Sequence, residues 1–222
     1  MISSNMPYSE IGEKINSDWE TLKEKIRYYE GKFLRSIAKT NKFPITKVYK
    51  LGNSGVNNTY YLSFTIQTKQ DLRRTPISTI ACRAIDCAGD SLLILTPNVL
   101  IFFWNHFLER YKERVLKNKA IPFDEVVESV MLNEMSLSGI KITKEIDDVY
   151  HCFDGHYSED KVDLLLTNPY GYCFAEKRER IVYVKTVITN EMLSEKQKKL
   201  FSQVTEIDNI LNHLYYSTRT IR

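Results

Sequence analysis

The chain has 222 residues, 43% hydrophobic and 27% charged, which excludes a disordered or fibrous protein and allows a core that needs no disulfide or metal staple. Its net charge of +3 and pI near 8.5 permit contact with nucleic acid without making it a uniformly basic binder. The longest apolar runs, residues 91–96 and 99–104, are too short to cross a bilayer, and the first residues lack the basic and apolar parts of a signal peptide. A cytoplasmic protein with no membrane partner is expected, its four cysteines (82, 87, 152 and 173) reduced.

In chain order, Ile11, Ile15, Trp19, Leu22, Ile26, Tyr29, Phe33 and Ile37 recur at steps of three and four and predict a long amphipathic helix, closed by Asn41 and Pro44. Residues 45–51 alternate as a strand, and Gly52-Asn53-Ser54-Gly55 reads as a turn. Residues 59–68 place Tyr60, Leu62, Phe64 and Ile66 on one face and Tyr61, Ser63, Thr65 and Gln67 on the other, the pattern of a half-buried strand. Strands over 77–85 and 92–95 follow, joined by a turn at Cys87-Ala88-Gly89-Asp90.

Thr96 and Pro97 have the chemistry of a helix start, predicting a helix to about Asn118 with Leu100, Phe103, Phe107, Tyr111 and Val115 inside. A second helix is predicted over 122–137, with Val126, Val127, Val130 and Met131 buried. Residues 138–161 are polar and acidic, and read as irregular with a turn at Asp154-Gly155. Strands over 162–166, 172–176 and 181–188 come next, turning at Asn168–Gly171 and at Glu179-Arg180. Thr189 is the expected cap of a final long helix with stripe Leu193, Leu200, Val204, Ile207, Leu211 and Leu214. The expected fold is α+β, an antiparallel sheet packed with long amphipathic helices at both termini. Residues 1–95 and 96–222 form two units or one continuous domain.

The sharpest candidate for chemistry is the helical edge His106, Arg110 and Arg114, which share one side at a spacing of four. A histidine exchanges protons near neutral pH, and two guanidiniums can clamp a phosphate. That set suits RNA cleavage without a metal: a base activates a 2′-hydroxyl and the arginines hold the phosphate. A solvated surface whose arginines are neutralised by Glu109 and Glu113 is the plain alternative. Lys185 and Thr186, near the end of the last strand, could complete a polar site, or simply precede the cap at Thr189. Tyr170, Tyr172 and Phe174, close to residues 177–180, could stack bases or pack the hairpin.

A helix with His-x-x-x-Arg-x-x-x-Arg, followed by a hairpin ending in Lys-Thr-x-Ile-Thr and then Met-Leu-x-x-x-Gln, resembles the barnase/EndoU/colicin/RelE-like group of small RNases and toxins. The matched positions are His106, Arg110, Arg114, Lys185, Thr186, Thr189, Met192, Leu193 and Gln197, within residues 97–200; the first 95 residues fall outside. The resemblance implies an α+β fold and a metal-independent ribonuclease. In it His106 is general base or acid, Arg110 and Arg114 bind phosphate, and Thr186 contacts substrate. Tyr111, Lys185 and Gln197 complete the expected substrate-binding set.

No cofactor is expected, since phosphate-loop, dinucleotide, nucleophile-elbow and zinc-protease motifs are absent. His151, Cys152, Asp154, His156 and Glu159 cluster in sequence, but Cys82 and Cys87 lack the second cysteine pair of a structural zinc site, and no metal is expected. The expected partner is RNA. The alternative is a non-catalytic binding or assembly module whose terminal helices pair with another protein or a second copy.

Overall fold

The computed structural model describes residues 1–51, 56–96, 99–133, 139–142, 161–168, 170–195 and 197–199. A short strand β1 (Ile2–Ser3) leads into helix α1 (Tyr8–Ile37). Then come β2 (Ile45–Lys50), β3 (Tyr60–Ile66), β4 (Ile77–Asp86), β5 (Gly89–Leu95) and β6 (Leu100–Phe103). Helices α2 (Asn105–Arg114) and α3 (Phe123–Leu132) follow. The chain returns through β7 (Gly139–Lys141), β8 (Lys161–Asn168), β9 (Gly171–Arg178) and β10 (Ile181–Thr189).

All ten described strands belong to one sheet, ordered β2-β3-β4-β5-β6-β10-β9-β8-β7, with β1 alongside β4. Two antiparallel meanders thus meet at the parallel pair β6–β10, with Val182 opposite Ile101 and Val184 opposite Phe103. The sheet runs through residues on both sides of position 95. Its two faces carry separate cores. Ile11, Leu22, Phe33 and Ile37 of α1 pack with Tyr60, Leu62, Phe64, Phe102 and Tyr183. Phe107, Leu108 and Tyr111 of α2 and Val126, Val127 and Val130 of α3 pack on the other face, against Tyr61, Phe103, Val184 and Val187.

This sandwich explains where the sequence reading needs correction. Strand β3 is buried along its whole length, not half-buried, because helices cover both its faces. The helix expected from Pro97 begins only at Asn105. Leu100, Ile101, Phe102 and Phe103 are all buried, Leu100 and Phe102 toward α1 and Ile101 and Phe103 toward α2, which only a central strand allows. The spacing of Leu100, Phe103 and Phe107 joined a strand and a helix into one false stripe. Helix α2 stops at Arg114 and α3 at Leu132. Residues 139–141, read as irregular, form the strand β7. Thr189 precedes a three-residue 3-10 turn (Asn190–Met192) and makes no side-chain cap.

One long terminal helix, α1, is described. Its apolar stripe packs on the sheet, with Ile11, Leu22, Phe33 and Ile37 buried and Ile15, Trp19, Ile26 and Tyr29 partly buried. Leu193 is buried. The rest of the expected C-terminal stripe, from Leu200 on, lies outside the described residues. So do the turn at 52–55, residues 134–138, Pro97, and the cluster His151, Cys152, Asp154, His156 and Glu159. No helix among the described residues is long and apolar enough to cross a membrane.

Candidate functional site

The first turn of α2 is fixed before any chemistry is considered. Asp86, at the end of β4, accepts the backbone N–H of Asn105 at 2.6 Å and the Ser91 hydroxyl at 2.9 Å. The carboxylate therefore satisfies one of the donors a helix leaves open at its start and complements the dipole there. Trp104 N donates to Val184 O at 3.1 Å, tying the same point to β10.

Beyond that anchor the predicted edge separates into different roles. His106 is exposed. Arg110 donates to Glu113 Oε2 at 2.7 Å, and Lys119 reaches Glu113 Oε1 at 2.8 Å. Those two cations hold the Glu113 carboxyl down to about 2. Arg114 donates to the carbonyl oxygen of Val187 on β10. Burial, then the neighbouring Arg110 charge, pulls its guanidinium below the usual arginine range. Tyr111 is buried: its ring stacks on Phe107 with centroids 5.8 Å apart, and its hydroxyl accepts from Asn133 Nδ2 at 2.8 Å. Arg110 is thus paired within α2, while Tyr111 and Arg114 have partners that dock α2 on α3 and the sheet.

Lys185 and Thr186 lie on the opposite face of the sheet from α2. The ladder pairs Val184 with Ala175 and Val187 with Cys173, all four in the α2-side core. Between them the register slips at Lys185, and Thr186 pairs with Phe174, which alternation turns the other way. Lys185 confirms the direction, because its ammonium sits 5.8 Å from the centre of the Trp104 ring, in the α1-side core. Gln197 is helical, past β10, and its Oε1 accepts the Ser194 N–H at 2.9 Å. The sheet therefore divides the predicted residues: His106, Arg110, Tyr111 and Arg114 on one side, Lys185 and Thr186 on the other.

The face carrying Lys185 and Thr186 gathers a polar cluster. Glu176 of β9, its side chain 1% exposed, accepts from Lys185 Nζ and from Arg178 Nε. Buried carboxylates are tolerated where charge-assisted hydrogen bonds replace lost hydration, and here two cations do so. The cations stay within reach of solvent, with 26% of the Lys185 and 57% of the Arg178 side chain exposed. The Arg178 guanidinium lies 5.6 Å from the Tyr183 ring centre, and Tyr183 meets Trp104 edge to face at 6.2 Å. Burial pushes the Tyr183 phenol above its ordinary range, against the pull of Arg178. Asp163 stands opposite Glu176 in the β8–β9 ladder, with its Oδ1 buried and without a hydrogen-bond partner among the described residues. Tyr172 and Phe174 are buried beside Glu176 and belong to the packing of the hairpin.

Sequence reasoning missed Glu176 as the centre of this cluster. The signal was there: Tyr172, Phe174 and Glu176 share one face of β9, so a charge falls in an apolar row. A second buried carboxylate, Asp18, interrupts the stripe of α1 in the same way. It accepts Asn57 N at 2.9 Å, Asn57 Nδ2 at 3.0 Å, Asn58 Nδ2 at 2.9 Å and the Tyr60 hydroxyl at 2.9 Å. A cavity of about 310 Å³ lies beside these asparagines, also lined by Val56, Thr59 and Arg83.

No group of three or more His, Cys, Asp or Glu side chains among the described residues is placed to hold a metal ion. No protein-family model, curated protein or solved structure matches the chain. The reading of function therefore rests on the geometry of these two faces.

Proposed function

We propose that this protein binds RNA through the face of β8–β10 turned away from α2. One observation carries the reading: Glu176 holds Lys185 and Arg178 side by side on a sheet face, next to the partly buried Trp104 ring that packs on the buried Tyr183. An ammonium has three donors and a guanidinium five, and a single bond from each to Glu176 leaves the rest for a phosphate. Half-exposed cations interleaved with aromatic rings are the chemistry that single-stranded nucleic acid recognises. Binding is measured by fluorescence anisotropy of a labelled RNA over a range of salt. Two phosphate contacts on a single strand give a log–log salt slope of about −1.4, and Lys185→Ala or Arg178→Ala each reduces it by about 0.7. No binding at low salt, or a slope indifferent to both substitutions, removes the proposal.

A second reading, cleavage of RNA without a metal, is favoured by a carboxylate lying on the same face as the cations that would hold the phosphate. Glu176 would take the 2′-hydroxyl proton as the 2′-oxygen attacks phosphorus, and the 5′-oxygen would leave as an alcohol with a proton from the Lys185 ammonium, giving a cyclic phosphate. The same RNA is incubated with excess chelator. This version expects cleavage that Glu176→Gln abolishes; a site centred on His106 expects His106→Ala to abolish it instead. An intact RNA after long incubation leaves binding alone.

A further inference from the structure

Strand β10 contains an irregularity that the RNA-binding reading does not use. Val184 and Val187 both face α2 although three residues separate them, and in a regular strand they would point to opposite faces. The extra residue at Lys185 resolves this by turning two consecutive side chains, Lys185 and Thr186, away from α2. An ammonium and a hydroxyl thereby become neighbours on one face, where regular alternation would put the sheet between them.

The two side chains differ in what they already do. Lys185 is bonded to Glu176. Thr186 is half-buried, and its hydroxyl makes no hydrogen bond with any described residue. A partly buried hydroxyl beside a phosphate-holding lysine is placed to meet the sugar next to that phosphate. On a ribose that sugar carries a 2′-hydroxyl, able to donate and accept; on a deoxyribose it does not.

We infer that the bulge makes this face selective for ribose, with Lys185 taking the phosphate and Thr186 the adjoining 2′-hydroxyl. The inference rests on the RNA-binding reading and adds a specificity-determining residue to it.

The test uses the full chain and two labelled oligonucleotides of roughly twelve nucleotides, oligouridylate and its deoxy counterpart, a length suited to one single-strand site. The wild type is expected to bind the ribose strand about three- to tenfold more tightly, the worth of one hydrogen bond. Thr186→Val keeps the β-branched shape and removes the hydroxyl. It should bring the two affinities together by weakening only the ribose complex. Thr186→Ser, which keeps the hydroxyl, should retain the preference, and Lys185→Ala should weaken both strands alike. Equal wild-type affinities, or a preference unchanged in Thr186→Val, overturn the inference while leaving RNA binding intact. Failure of the wild type to bind either strand overturns the RNA-binding reading itself, and this inference with it.

Discussion

Asp18 and Glu176 are both buried carboxylates set in otherwise apolar rows, one on α1 and one on β9, and they are satisfied in opposite ways. Asp18 is 1% exposed and, among the described residues, is bonded by neutral donors: a backbone N–H, two side-chain amides and a phenol. Every donor comes from residues 57–60, so the carboxylate fastens α1 to the start of β3. Glu176 is equally buried but is bonded by cations that reach solvent. Neutral donors close a charge into the fold. Half-exposed cations carry it to the surface, where another anion can meet them. The contrast separates a structural anchor from a candidate site, although both are lone charges in apolar strips of sequence.

The largest effect that tests this contrast is expected from Asp18→Ala. It strands several buried donors at once and should lower unfolding stability by about 3 kcal/mol in denaturant titration. A loss below about 1 kcal/mol would mean the donors find water, and that the anchor is not sealed. Glu176→Ala should cost less, about 1–2 kcal/mol in the same titration, because Lys185 and Arg178 can regain hydration at the surface. If the two losses are equal, the distinction between a sealed and an open carboxylate fails.

Acid sharpens the comparison further. Burial alone would raise the Asp18 carboxyl, but its four hydrogen bonds outweigh that and hold it below the ordinary value of 3.8. A carboxyl lowered on folding contributes stability above its unfolded value and loses it as pH falls through the folded one. Stability of the wild type should therefore drop from about pH 4 downward, as followed by circular dichroism. Asp18→Asn, with no proton to take up, should be less stable at neutral pH and show a shallower acid decline. An unchanged acid limb in Asp18→Asn would assign that limb to other carboxylates. The smallest effect is expected at His106: exposed and outside both networks, His106→Ala should change stability by less than about 0.5 kcal/mol.

Much of the fold was legible in the residues. The period of α1, the alternation of β2 to β4 and the turns around β9 and β10 are local signals, and local signals are what a linear chain displays. The candidate site was legible only in part. Lys185 and Thr186 could be picked out as polar residues near a strand end, and Glu176 could have been found as a charge in the apolar row of β9. No spacing along the chain revealed that Lys185 sits beside Glu176, or that the sheet stands between Thr186 and His106.

By itself, then, the sequence determined which segments were amphipathic, with what period, and where the chain could turn, because those follow from side-chain chemistry repeated every two or 3.6 residues. Tertiary structure decided the rest. Helices on both faces made Leu100–Phe103 a central strand where its spacing read as helix. A one-residue bulge chose the face of Lys185 and Thr186. Cross-strand pairing brought Glu176 to its cations, since neighbours in a ladder are chosen by register, and register depends on what both faces must bury.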